Sequence, residues 1–184
     1  RTIKAMRAPL TSLQHTLQSF GEISRFLREG VADEDSRLMR DSLAALSQLI
    51  DEATRLRRAG ADAAAITGRV ADLARCAREH QLFLTGLGSA WHALYEFGAY
   101  QQALRALCSA IAAWLQALER HSSREGACFR QFELLAWRTL GEALLLIDMY
   151  EHHSDPLSDL AEAAPRRPAG WQRLRAWWRT VWRR

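Results

Sequence analysis

Apolar residues recur at three-, four- and seven-residue intervals along most of this 184-residue chain. Such spacing places them on one face of an α-helix, whereas the alternation typical of a half-buried strand does not persist over any segment. Hydrophobic residues make up 48% of the chain and charged residues 25%, which is the composition of an ordinary globular protein. The sequence therefore predicts one all-α domain with a core of its own.

Turn-forming residues divide the apolar pattern into about five helices, near residues 10–29, 33–58, 62–85, 89–118 and 129–153. Short connections predict an antiparallel bundle, and Gly98 is the expected break in the fourth helical region. The residues predicted on the apolar faces from the second helix onward are Met39, Leu43, Leu46, Ile50, Ala53, Ile66, Val70, Leu73, Ala77, His80, Leu84, Trp91, Leu94, Leu104, Leu107, Ile111, Trp114, Leu118, Phe129, Phe132, Leu135, Trp137, Leu140, Leu144 and Ile147.

Charge divides the chain into a bundle (residues 1–164), a linker-like stretch (165–170) and a basic C-terminal segment (171–184). Residues 165–184 contain seven arginines and no acid, a formal charge of +7, whereas residues 1–164 carry −3. The body therefore has no excess positive charge with which to hold a phosphate backbone, and nucleic acid is an unlikely partner.

Residues 171–184 hold four of the seven tryptophans together with five arginines. At about 100° per helical residue, the indoles share one arc of a helix and the guanidiniums fill the rest. Tryptophan favours the headgroup level of a bilayer and arginine pairs with lipid phosphate. The predicted contact residues with an anionic membrane surface or a protein partner are Trp171, Trp178, Trp182, Arg175, Arg179 and Arg183. Packing of the same indoles on the bundle itself is the alternative.

Near its start the chain has the box Lys4-Ala5-Met6-Arg7-Ala8-Pro9-Leu10. With this box, the first sixty residues resemble the dimerisation and phosphotransfer hairpin of sensor histidine kinases. Lys4 occupies the position of the phosphoacceptor histidine, so the resemblance implies a hairpin that dimerises without relaying phosphate. The homodimer contacts that it implies are Leu13, Leu17, Leu43, Leu46 and Ile50.

Residues 87–111 contain a pattern of small and apolar residues, namely Leu87, Gly88, Leu94, Gly98, Tyr100, Ala103, Leu104 and Ala110. This pattern resembles part of a tetratricopeptide repeat. The resemblance implies a groove for a partner peptide.

Side chains with catalytic or metal-binding chemistry are few and scattered. His92 and Glu96 lie four residues apart, the spacing at which two ligands on one helix can share a metal. His121 with Glu125, and the group His152, His153, Asp155 and Asp159, are weaker candidates. His80 interrupts an apolar stripe, and we expect it to be a core histidine with satisfied hydrogen bonds; ligand sensing is the alternative. No glycine-rich phosphate loop and no Gly-x-Ser-x-Gly elbow occurs, and no cofactor is predicted.

These patterns predict a non-enzymatic interaction domain that docks at a membrane surface or forms the cytosolic part of a larger membrane protein, such as a transporter or receptor. The widely spaced Cys76, Cys108 and Cys128 indicate free thiols in a reducing, cytoplasmic setting. Two alternatives remain. One is a dimerising signalling module, and the other is a metal- or small-ligand-binding helical enzyme that uses His92 and Glu96.

Overall fold

The structure, a computed structural model, describes residues 19–29 and 34–153, with side chains through Glu151. This part of the chain forms helices without a strand, which confirms the all-α prediction. The helices are α1 (Phe20–Glu29), α2 (Glu34–Arg58), α3 (Ala63–Thr85), α4 (Ser89–His92), α5 (Tyr95–Glu119) and α6 (Glu125–His153). The predicted linker, 165–170, and C-terminal segment, 171–184, lie outside the described residues.

The four long helices form a closed antiparallel bundle in which α2 contacts α3, α3 contacts α5, α5 contacts α6, and α6 returns to α2. Two ion pairs fix the antiparallel direction of α2 and α6. Arg40 near the start of α2 pairs with Glu151 near the end of α6, and Arg57 near the end of α2 pairs with Glu125 at the start of α6. Across this part of the chain, no helix is both long enough and apolar enough to cross a bilayer.

Helix α1 crosses α2 closely because small residues meet at the crossing. The Ser24 hydroxyl donates to the Ala44 carbonyl at 2.8 Å, and the Ser47 hydroxyl donates to the Phe20 carbonyl at 2.6 Å. The Phe20 ring lies 4.3 Å from the Trp137 ring of α6. Helix α1 is thus held against both α2 and α6.

Local signals explain where α2 ends and α3 begins. Gly60 has a φ of +66°, its N–H donates to the Arg57 carbonyl, and the Ala61 N–H donates to the Leu56 carbonyl. These two bonds close a Schellman motif, in which glycine avoids the strain that a Cβ would bring to positive φ. Asp62 then caps α3 by accepting from the Ala64 N–H at 3.2 Å.

The predicted break at Gly98 is wrong, since Gly98 lies inside α5 and the chain instead breaks at Ala93 and Leu94, between α4 and α5. Packing explains the position. Trp91 is 1% exposed and Phe97 is 3% exposed. On one continuous helix, residues six apart would point about 120° away from each other. The break lets both rings face the core.

The core contains nearly all the residues predicted on the apolar faces of α2 to α6. Trp91, Tyr100, Trp114 and Phe132 are its largest fully buried side chains. Leu94, Leu135 and Trp137 are only partly buried and pack against its edge. The helical period therefore identified the core-facing residues correctly in this part of the chain.

Candidate functional site

The predicted membrane-contact residues all lie outside the described residues, because residues 171–184 are not among them. The placement of Trp171, Trp178, Trp182, Arg175, Arg179 and Arg183 therefore stays a prediction. Within the described residues, the groups with the most distinctive chemistry are a buried hydrogen-bonded chain and two polar clusters at opposite ends of the bundle.

Ser42, His80 and Tyr100 form the buried chain, and each comes from a different helix. The Ser42 Oγ of α2 lies 2.5 Å from His80 Nδ1 of α3, and His80 Nε2 is hydrogen-bonded to the Tyr100 hydroxyl of α5. His80 is 2% exposed, Tyr100 is completely buried and Ser42 is half-buried. His80 is therefore the core histidine with satisfied hydrogen bonds that its place in an apolar stripe predicts.

Burial sets the protonation states of His80 and Tyr100. It lowers the pKa of His80 to about 4 and raises the pKa of Tyr100 well above its usual range, so both groups are neutral near pH 7. Among the described residues, the Tyr100 hydroxyl has His80 as its one hydrogen-bond partner. It must then donate to Nε2, because its proton would otherwise be buried without an acceptor. Nδ1 therefore carries the ring proton and donates to Ser42.

This arrangement is unsuited to nucleophilic catalysis. A serine nucleophile needs a base that accepts its proton, whereas His80 Nδ1 is a donor toward Ser42. The lowered pKa also makes the imidazole a poor base, and the ring is sealed from solvent. The hydrogen bonds among Ser42, His80 and Tyr100 instead connect α2, α3 and α5.

A second polar cluster joins α2 to the end of α6. Arg40 donates to Glu151 through Nε at 2.7 Å and through Nη2 at 2.9 Å, and the Ser36 hydroxyl donates to the same carboxylate at 2.5 Å. Beside it, the Trp91 ring stacks on the Tyr150 ring at 3.7 Å with an interplanar angle of 2°. These contacts anchor the last turns of α6 before the chain continues to residues 154–184.

The opposite end of the bundle is held by a cluster centred on Glu125. Its carboxylate accepts from Arg57 Nε at 2.7 Å, from Arg57 Nη2 at 2.8 Å and from the Trp114 indole N–H at 2.8 Å. The Arg57 guanidinium also lies 5.4 Å from the centre of the Phe129 ring, within cation–π range. These hydrogen bonds lower the pKa of Glu125, with the bond from Arg57 as the largest cause. The cluster ties α2, α5 and α6 together.

A surface cleft of about 470 Å³ lies where α2 ends and α3 begins. Leu56 and Ala59 supply its apolar wall, and Arg55, Arg69 and Glu52 its polar wall. The arginines are already paired, Arg55 with Asp51 at 2.7 Å and Arg69 with Glu52 at 3.2 Å. With its cations neutralised in this way, the cleft offers no net charge to a ligand.

The geometry assumed for His92 and Glu96 is not present. His92 ends α4 and Glu96 lies in α5, so the break at Ala93–Leu94 separates two residues that were expected on one helix. His92 is exposed, with its ring 4.4 Å from that of Phe97. The described residues contain no group of three His, Cys, Asp or Glu placed to hold a metal ion. Of the other candidate groups, Glu125 is engaged by Arg57, and Asp155 and Asp159 lie outside this part of the chain.

The leucines predicted to form a homodimer contact fall in two places. Leu13 and Leu17 lie outside the described residues. Leu43, Leu46 and Ile50 are each 0% exposed and pack inside the chain's own core. A dimer that used these three side chains would have to open the bundle.

The three cysteines are free and half-buried. Burial raises the pKa of Cys76 and of Cys108, so both thiols are protonated and weakly reactive near pH 7. Their positions agree with a packing role.

Pairings of Ser42 with His80 and of Arg57 with Glu125 were not foreseen from the sequence. Each joins residues 38 or more positions apart, and no local pattern links them.

No protein-family model, curated protein or solved structure matches this chain. The likeness of residues 1–60 to a kinase hairpin and of residues 87–111 to a tetratricopeptide unit stays a prediction.

Proposed function

We propose that this protein is a non-enzymatic helical interaction domain that docks on an anionic membrane surface through residues 171–184. The observation that carries the proposal is the segregation of tryptophan from arginine along that segment. In a helix, Trp171, Trp178 and Trp182 would enter the headgroup region together, while Arg175, Arg179 and Arg183 would meet lipid phosphate. Each basic residue at such a surface contributes about 1 kcal/mol.

The bundle supports this proposal through its charge and the route of the chain. Residues 1–164 carry a formal charge of −3, so attraction to an anionic surface must come from the +7 of residues 165–184. Helix α6 is anchored by Glu151 at the end of the bundle where α2 starts. In the sequence, the basic segment therefore follows the helix end at which Arg40 pairs with Glu151. Within the described residues, both ring nitrogens of His80 are hydrogen-bonded, one to Ser42 and one to Tyr100, so His80 is not a free base that could activate Ser42. This favours a binding function over an enzymatic one.

Sedimentation of the full chain with phosphatidylcholine vesicles, with and without phosphatidylserine, tests the proposal. The informative variant exchanges neighbours, Trp178→Arg with Arg179→Trp, because it keeps composition and charge but puts an arginine on the aromatic arc. The matched control, Arg179→Thr with Thr180→Arg, also exchanges neighbours but keeps both residues on the polar side.

We expect the wild type and the control to sediment with phosphatidylserine vesicles and the Trp178–Arg179 exchange to bind at least 10-fold more weakly, equivalent to about 1.4 kcal/mol. Binding should also weaken as salt is raised, because salt screens the arginines. Equal binding of both exchanges would mean that charge alone attracts the protein. Absence of binding by the wild type would contradict the proposal outright.

A further inference from the structure

His80 lies at the junction of α2, α3 and α5, and its surroundings suit only the neutral ring. One nitrogen is bonded to Ser42 and the other to Tyr100. The Phe83 ring, one turn further along α3, lies 5.9 Å from the imidazole. With 2% of its surface exposed, the ring cannot exchange either partner for water while the bundle is closed.

We infer that His80 is an acid-sensitive latch: protonation of its ring breaks the Ser42–His80–Tyr100 chain and favours unfolding of the bundle. The inference is independent of the membrane proposal, since it concerns only the described helices.

The donor and acceptor roles of His80 and Tyr100 explain why protonation of the His80 ring disrupts their hydrogen bond. An imidazolium donates from both nitrogens, so the Tyr100 hydroxyl would have to change from donor to acceptor. Its own proton would then have no acceptor among the described residues, and Tyr100 is completely buried. A positive charge would also be placed in the core, where an unpaired ion is costly.

Within the described helices, no neighbouring charge is placed to compensate for that positive charge. Burial lowers the pKa of His80, and no carboxylate or cation of the described residues contributes to that shift. The titratable or charged residues close in sequence on the three helices are Arg40 and Asp41 of α2, Cys76, Arg78 and Glu79 of α3, and Glu96, Arg105 and Cys108 of α5. Arg40 is already paired with Glu151, and Asp41, Arg78, Glu79 and Arg105 are exposed.

The sign of the pH effect follows from the two protonation states. The ordinary pKa of histidine, 6.5, applies to the unfolded chain, and the folded value is about 4. Between these values the unfolded chain binds a proton that the folded chain does not. The contribution of His80 to the free energy of unfolding is therefore complete above pH 6.5 and is lost as the pH falls toward 4. From the two values, the unfolding equilibrium constant rises roughly 30-fold between pH 7.5 and pH 5.

Urea unfolding of the full chain across this pH range tests the latch. The variant is His80→Gln, which keeps a donor and an acceptor but cannot titrate. The matched control is His92→Gln, which makes the same change at an exposed histidine. We expect the wild type and His92→Gln to show the roughly 30-fold rise and His80→Gln to show a rise several-fold smaller. Parallel pH profiles for the wild type and His80→Gln would overturn the inference.

A second measurement uses the wild type alone, so it tests the proposed role of His80 even if His80→Gln fails to fold. Titration of the imidazole signals by NMR in the wild type should find a ring that stays neutral down to about pH 5 while the protein is folded. A ring that titrates near its ordinary pKa in the folded protein would refute the latch.

Discussion

Replacement of Glu125 by alanine should destabilise the bundle far more than loss of a surface ion pair. Glu125 receives two hydrogen bonds from Arg57 and one from Trp114, and its side chain is 19% exposed. Truncation leaves the indole N–H of a fully buried Trp114 without its partner, which costs about 1–3 kcal/mol. Loss of the partly exposed Arg57 pair adds about 1 kcal/mol. We therefore expect a decrease of about 2–4 kcal/mol in the free energy of unfolding.

The structure offers a matched control between the same two helices. Glu133 of α6 pairs with Arg58 of α2 through one contact of 2.5 Å, and the Arg58 side chain is 64% exposed. Solvent screens such a pair, so Glu133→Ala should cost less than about 1 kcal/mol. Urea unfolding followed by circular dichroism measures both variants. Equal costs for the two substitutions, or a cost below about 1 kcal/mol for Glu125→Ala, would refute the reasoning.

The pH dependence of the same cluster has a definite sign. The pKa of Glu125 is lowered, chiefly by its hydrogen bond from Arg57, so its contribution is present above the ordinary carboxyl value of 4.5 and is lost as the pH falls through the folded value. The stability difference between the wild type and Glu125→Gln should therefore shrink in acid below pH 4.5. A difference that stays constant across that range would contradict the assignment.

The remaining predictions concern backbone conformation and core packing, and each is checked by urea unfolding. Gly60→Ala should cost about 1 kcal/mol, because φ is +66° there although a Cβ would meet no atom within 4 Å. Gly98→Ala, equally open but inside α5, should instead stabilise the protein by about 0.5–1 kcal/mol. Trp91→Ala should cost about 3–5 kcal/mol, because the ring is 1% exposed and stacked on Tyr150. Tyr95→Ala, at 90% exposure, should change stability by less than about 0.5 kcal/mol.

The helices and their core-facing residues could be predicted because their signals are local. A repeat of 3.6 residues, an acidic start such as Glu34–Asp35 and a glycine such as Gly60 are each contained within a few neighbouring positions. The same local information explains the one misplaced break. A glycine is a plausible interruption, but Gly98 stays helical because the burial of Trp91 and Phe97 places the bend earlier.

Tertiary structure alone decided which polar side chains meet. Ser42, His80 and Tyr100 lie on three helices, and Arg57 reaches Glu125 across 68 positions, so helix packing creates contacts that no local pattern encodes. Packing likewise enclosed Leu43, Leu46 and Ile50, which the resemblance to a kinase hairpin had assigned to a partner chain. Helical periodicity reports which face of a helix is apolar, but only the assembled bundle specifies which other surface covers that face.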